Sequence, residues 1–317
     1  MRALFALVCF LSSLFSAHAA DFLPGVKRIL FLGDSITHSG QYVATFAAFL
    51  AAEFPEREFV VINCGLSSET VSGLSEAGHA GGAFPRPDLH ERLDRVLALV
   101  KPDLIFANYG MNCGIYLPLE DGRFQKYKDG MLWLRQKAST AGAKVIHLTP
   151  PVFDAVPLKG RLQPAGTVKE GQQFEGYNTV LDAYAAWLVA QPWQVMDTHS
   201  AMMGALATKR ATEPEFTFAK DGVHPNDAGH LLMAKAIIHG LLPEKDADFA
   251  KLTAPESLTA NKVFFDAVRK RERVLGDAYL GAAGHLRPGV AKGLPIEEAE
   301  AQAAALSKTI RETAPKL

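Results

Sequence analysis

Cysteine is scarce in this sequence: three in 317 residues, at positions 9, 64 and 113. So few exclude a small fold stapled by disulfides, and Cys64 and Cys113 read as two buried free thiols. A block of like charge is also missing. Lys and Arg number 33 against 34 Asp and Glu, a net charge of −1, so neither nucleic acid nor an anionic membrane is an expected partner. Ten histidines never recur with Cys, His or carboxylates at a metal-ligand spacing, so no metal and no cofactor is expected.

Long hydrophobic runs are confined to the beginning. Arg2 precedes an apolar stretch over residues 3–15, and Ala17-His18-Ala19 supplies a small-x-small cleavage site. This is the pattern of a signal peptide over residues 1–19, cut after Ala19, which places the protein in the periplasm or outside the cell. Nothing later is apolar enough to span a bilayer, so no stable membrane insertion is expected once the signal is removed.

What is present is an ordinary globular composition, 48% hydrophobic and 21% charged, able to bury a core. Short apolar runs at 28–33, 59–63, 103–108, 144–148 and 194–196 read as buried parallel strands. Helix-period segments lie between them at 42–53, 88–100, 126–141 and 175–190, with another at 228–242. The alternation predicts an α/β fold with about five parallel strands and helices on both faces. The main domain is expected over 26–242, followed by a polar linker at 243–260 and a helical C-terminal extension at 261–317. Two long connections, 113–124 and 149–174, should border a binding site.

Chemistry in such sheets sits beyond the carboxyl ends of the strands, and the informative residues follow the apolar runs. Gly33-Asp34-Ser35 comes directly after the first. Asp221-Gly222-Val223-His224 comes late, where a histidine base and a carboxylate that orients it would activate a serine hydroxyl. Gly110-Met111-Asn112 follows the third run and Gly65 the second. With the Ser35 N–H, the Gly65 N–H and the Asn112 side chain offer three donors to an oxyanion.

These four blocks, in this order, resemble the SGNH (GDSL-type) hydrolases. The resemblance implies a flavodoxin-like three-layer α/β/α sandwich and metal-free hydrolysis of acyl esters. Ser35, Asp221 and His224 would form the triad, and Ser35, Gly65 and Asn112 the oxyanion hole. Cys113 departs from the family pattern, in which Asp often follows the oxyanion Asn, and puts a thiol near the site.

Candidate substrate contacts are His79 and Arg86 in a glycine-rich loop, Tyr116, and His285 and Arg287 in the tail, whereas His38 and His230 read as structural. The leading expectation is an exported esterase acting on acetyl esters, with a small-molecule or glycan ester as its partner. Competing readings are a lysophospholipase or thioesterase for longer acyl chains, and a glycan-binding protein without catalysis. Acyl transfer to a sugar would use the same residues.

Overall fold

The structure, a computed structural model, describes residues 23–317. The expected signal peptide lies outside the described residues. Strand β1 (Arg28–Gly33) is central because it has a partner on each side: β2 (Val60–Asn63) and β3 (Leu104–Asn108) both pair with it in parallel. Then β4 (Lys144–Leu148) pairs with β3, and β5 (Val195–Met196) with β4, giving the order β2-β1-β3-β4-β5. Ile29, Leu30, Phe31 and Leu32 have no exposed surface at all, as a strand covered on both faces requires. Phe31 stacks on Phe106 at 4.8 Å and meets the edge of Phe46 at 5.5 Å.

Two short helices follow β1, α1 (Ser35–Ser39) and α2 (Gln41–Glu53). The crossovers after β2, β3 and β4 carry α3 (Leu89–Val100), α4 (Asp121–Thr140) and α5 (Tyr177–Val189). The chain then forms α6 (Thr198–Arg210) and α7 (Asp227–Leu241). The result is a five-stranded parallel sheet between helical layers, the α/β/α sandwich read from the alternation.

Local chemistry explains where sequence and structure differ. Helix α4 starts at Asp121, earlier than its apolar periodicity suggests, because the Glu120 carboxylate accepts the Gly122 and Arg123 N–H groups. Helix α6 was not expected. Its start is marked by Asp197, whose carboxylate accepts the Ser200 N–H, but its four buried residues make a thin stripe. The segment 243–260, expected as a linker, is a 3₁₀ turn followed by α8 (Asp246–Thr253) and α9 (Pro255–Ala260), with Phe249 and Leu252 buried. Among the described residues no helix is long and apolar enough to cross a membrane.

Helix α10 (Lys262–Ala283) pairs with α11 (Ile296–Thr313) and packs on β2, α2 and α3. It therefore covers the β2 edge, which would otherwise present unpaired strand to solvent. Gly276 makes the close approach possible: a Cβ there would stand 2.8 Å from the Asn63 carbonyl oxygen. Gly276→Ala gains helix propensity worth about 1 kcal/mol. The clash with fixed backbone, at about 1–3 kcal/mol, should outweigh it. Thermal denaturation of the variant should show a lower Tm, and a higher Tm would contradict the contact.

Candidate active site

The carboxyl ends of β1, β2 and β3 open into one cleft of about 810 Å³, bordered also by the 149–176 connection and the C-terminal tail. Ser35 is the first residue of α1 and lines the cleft. Asp34, buried beneath it, caps the helix by accepting the Ile36 N–H at 3.0 Å.

Ser35 Oγ lies 2.8 Å from His224 Nε2, and His224 Nδ1 lies 2.6 Å from Asp221 Oδ2. Burial works against the Asp221 carboxylate, but hydrogen bonds from the His224 ring and from the His224 and Val223 amides outweigh it. They hold Asp221 below its ordinary pKa and therefore ionised. An ionised carboxylate only accepts, so Nδ1 carries the proton. In the neutral ring Nε2 is then an acceptor for the serine hydroxyl.

Gly222, at φ +76°, makes the turn that lets Asp221 reach both amides. Asp154 anchors that turn. Its N–H donates to the Gly222 carbonyl at 2.8 Å, and its carboxylate takes a two-pronged bond from Arg210 at 2.7 and 2.8 Å and another from Thr217. Sequence reading missed Asp154 and Arg210, which are 56 positions apart.

Asn112 is buried and lines the cleft. Its Oδ1 accepts from Arg86 Nη1 at 3.0 Å and from the Tyr116 hydroxyl at 3.2 Å. An arginine only donates, so the amide cannot be flipped, and Nδ2 is the group turned to donate. One Nδ2 hydrogen goes to the Glu69 carbonyl at 3.3 Å, leaving the other available.

Gly65 departs from expectation. It is buried outside the cleft lining, and its N–H is already given to Asn63 Oδ1 at 2.9 Å. Ser68, three residues on, does line the cleft and has a left-handed φ of +70°. A non-glycine residue at positive φ is uncommon and often marks a functional turn.

The five candidate substrate contacts separate. Arg86 and Tyr116 line the cleft, but Arg86 is committed to a two-pronged pair with Glu76 at 2.6 and 2.7 Å, and both side chains hold Asn112. His79 stands behind, 3.4 Å from Glu76, and does not line the cleft. In the tail, Arg287 reaches the cleft whereas His285 does not. The His38 ring donates Nδ1–H to the Gly65 carbonyl at 3.0 Å, and His230 stacks on Tyr42 at 6.0 Å. Cys64 and Cys113 are free and buried, and burial pushes the Cys113 thiol up to about 12, which keeps it protonated and unreactive. Among the described residues no three His, Cys, Asp or Glu side chains are grouped to hold a metal.

Comparison with known proteins places the chain in a family. Residues 31–232 match the GDSL-like lipase/acylhydrolase family. An acetylxylan esterase of Geobacillus stearothermophilus is 26% identical over 231 residues, covering 67% of this chain and 92% of that protein. Among solved structures, a gut microbial diltiazem-metabolizing enzyme superposes with a TM-score of 0.51 at 20% identity, over 69% of this chain and 48% of its own, a likeness of fold. A Geobacillus stearothermophilus acetylxylan esterase structure gives 0.49 at 22% identity, over 68% of this chain and 94% of its own.

Two outcomes are expected. Asn112→Ala removes one donor and should lower kcat about 10²–10³-fold in an esterase assay, with little change in KM. For Asp34, burial raises the carboxyl to about 6 from an ordinary 3.8. The folded protein therefore holds a proton that the unfolded chain releases between those values. The stability so linked is full below 3.8 and lost as pH rises through 6, on the order of 3 kcal/mol. Asp34→Asn keeps a capping oxygen and cannot ionise, so its Tm should exceed wild type at pH 8 by a margin that disappears at pH 4. A margin independent of pH would contradict the assignment.

Proposed function

The chain belongs to the GDSL-like lipase/acylhydrolase family and is a carboxylic ester hydrolase, and from that premise we propose that it removes short acyl groups, acetyl above all, from carbohydrate. The observation that carries the reading is the chain of contacts from Ser35 through His224 to Asp221, beside an Asn112 whose orientation is fixed. In this reading His224 takes the Ser35 proton as the hydroxyl oxygen attacks the ester carbonyl, and Asp221 stabilises the imidazolium. The Ser35 and Ser68 N–H groups and Asn112 Nδ2 receive the tetrahedral oxyanion. His224 then gives its proton to the departing alcohol, and water repeats the sequence on the acyl-enzyme.

The cleft lining supports a short acyl group. Gln163, Gln172, Gln173, Ser67 and Ser68 make it polar, and Val223 is the one aliphatic side chain among the described lining residues. An octanoyl chain carries six more methylenes than acetyl, each worth about 0.8 kcal/mol only if buried against apolar surface. Phe153 is buried in a cluster with Tyr116 and Tyr177 and offers no apolar wall to the cleft. A polar trough suits sugar hydroxyls better than an alkyl chain. The acetylxylan esterase relative accords with such a substrate. Export to the periplasm or the medium, on the signal pattern of residues 1–19, completes the proposal.

Hydrolysis of p-nitrophenyl esters from acetate to octanoate tests it. Acetate should be turned over fastest, and Ser35→Ala should lower kcat by about 10³-fold or more. A maximum at octanoate would move the substrate to lipids, and unaltered activity in Ser35→Ala would refute the nucleophile.

A further inference from the structure

Three arginines and two carboxylates line the cleft. Both carboxylates are already engaged, Glu76 with Arg86 and Asp221 with His224. The other two arginines, Arg161 and Arg287, form no ion pair among the described residues. Arg161 Nη2 donates to the Pro157 carbonyl at 2.9 Å and is otherwise exposed. Arg287 rests over the Phe84 ring at 5.5 Å and gives Nη1 to the Pro288 carbonyl at 2.9 Å. Its Nε is buried with no hydrogen-bond partner. With no carboxylate beside it, the Arg287 guanidinium keeps N–H donors unused in a residue that lines the cleft.

We propose that Arg161 and Arg287 form an anion subsite, so that the preferred ester carries a negatively charged group on its alcohol portion, a carboxylate or a phosphate on the sugar. This rests on the hydrolase reading of the same cleft. The reacting end is built by Ser35, Ser68, Asn112 and His224 from the sheet edge. The two free arginines come from outer segments, the 149–176 connection and the turn between α10 and α11. That geometry puts their charge on the part of the substrate that leaves and away from the acyl carbon. Phe84 holds the Arg287 plane by a cation–π contact, which preserves the flat fork that matches a carboxylate or phosphate in two-pronged fashion. The charge is local, since the whole chain is net −1. Arg287 also lies beyond residue 232, where the family match ends, so the C-terminal extension supplies one of the two arginines.

Calorimetric titration of the full chain with trigalacturonate and with galactotriose, which has a hydroxymethyl group in place of each carboxylate, tests this. Glucose 6-phosphate against glucose tests the phosphate source in the same way. One anion should bind about tenfold or more tighter than its neutral counterpart, and the ratio should shrink as salt is raised from 0.05 to 0.5 M. In an Arg161→Gln/Arg287→Gln double variant the ratio should fall toward one, while Arg287→Lys should keep part of it. Equal binding of both charged and neutral sugars, or a preference that survives the double variant, would overturn the subsite. Turnover of p-nitrophenyl acetate is read in parallel. Its absence with the charge preference intact would refute the hydrolase reading and leave the subsite standing.

Discussion

The Glu69–Arg92 ion pair, with neither side chain exposed, is the contact on which the cleft depends. Arg92 projects from α3 and grips both Glu69 oxygens at 2.6 and 2.7 Å, and its Nη2 also donates to the Cys64 carbonyl at 2.7 Å. Tyr109, just past β3, donates its hydroxyl to Glu69 at 2.6 Å. One buried pair thus joins the loop after β2, the helix behind it and the loop after β3. Removing one partner of such a pair costs about 3–5 kcal/mol, although an apolar pair of the same volume would often be as stable. The gain is therefore one of position. Ser68 and the Glu69 carbonyl that receives Asn112 are held where the reaction would need them.

A second charged pair, Arg86 with Glu76, repeats the device one layer outward and sets the Asn112 amide. The Asn112 side chain, which would stabilise an oxyanion, is thus oriented by neighbouring side chains before any substrate arrives. Preorganised donors of this kind cost no reorganisation as charge develops. On the other side of Ser35 the Asp154–Arg210–Thr217 network does the same for the loop carrying Asp221 and His224.

What the sequence made legible was local. Buried strands read as apolar runs because both faces are covered, and the Asp221–His224 unit read as a motif because a carboxylate three residues before a histidine reaches its ring within one turn. A glycine is the residue that a close backbone approach favours, but the Gly65 N–H is spent on Asn63. The chain instead bends at Ser68, a non-glycine at positive φ, and uses Gly65 to pack under α1. Helix α6 escaped notice because its buried stripe is thin, and 243–260 because helices that bury so few side chains look like polar linker. Arg92, Asp154 and Arg210 act across long sequence separations, where no spacing rule applies. His285 and Arg287 were equal as sequence, and only the turn between α10 and α11 decides which one faces the cleft.

The most direct test of the account is where a mechanism-based acyl mimic attaches. Treatment with a fluorophosphonate, followed by intact-mass and peptide mass spectrometry, should give one adduct per chain, on Ser35, and His224→Ala should slow its formation sharply. An adduct on Ser67 or Ser68, which share the cleft, or no adduct at all, would contradict the claim that the Ser35–His224–Asp221 relay is the reacting centre.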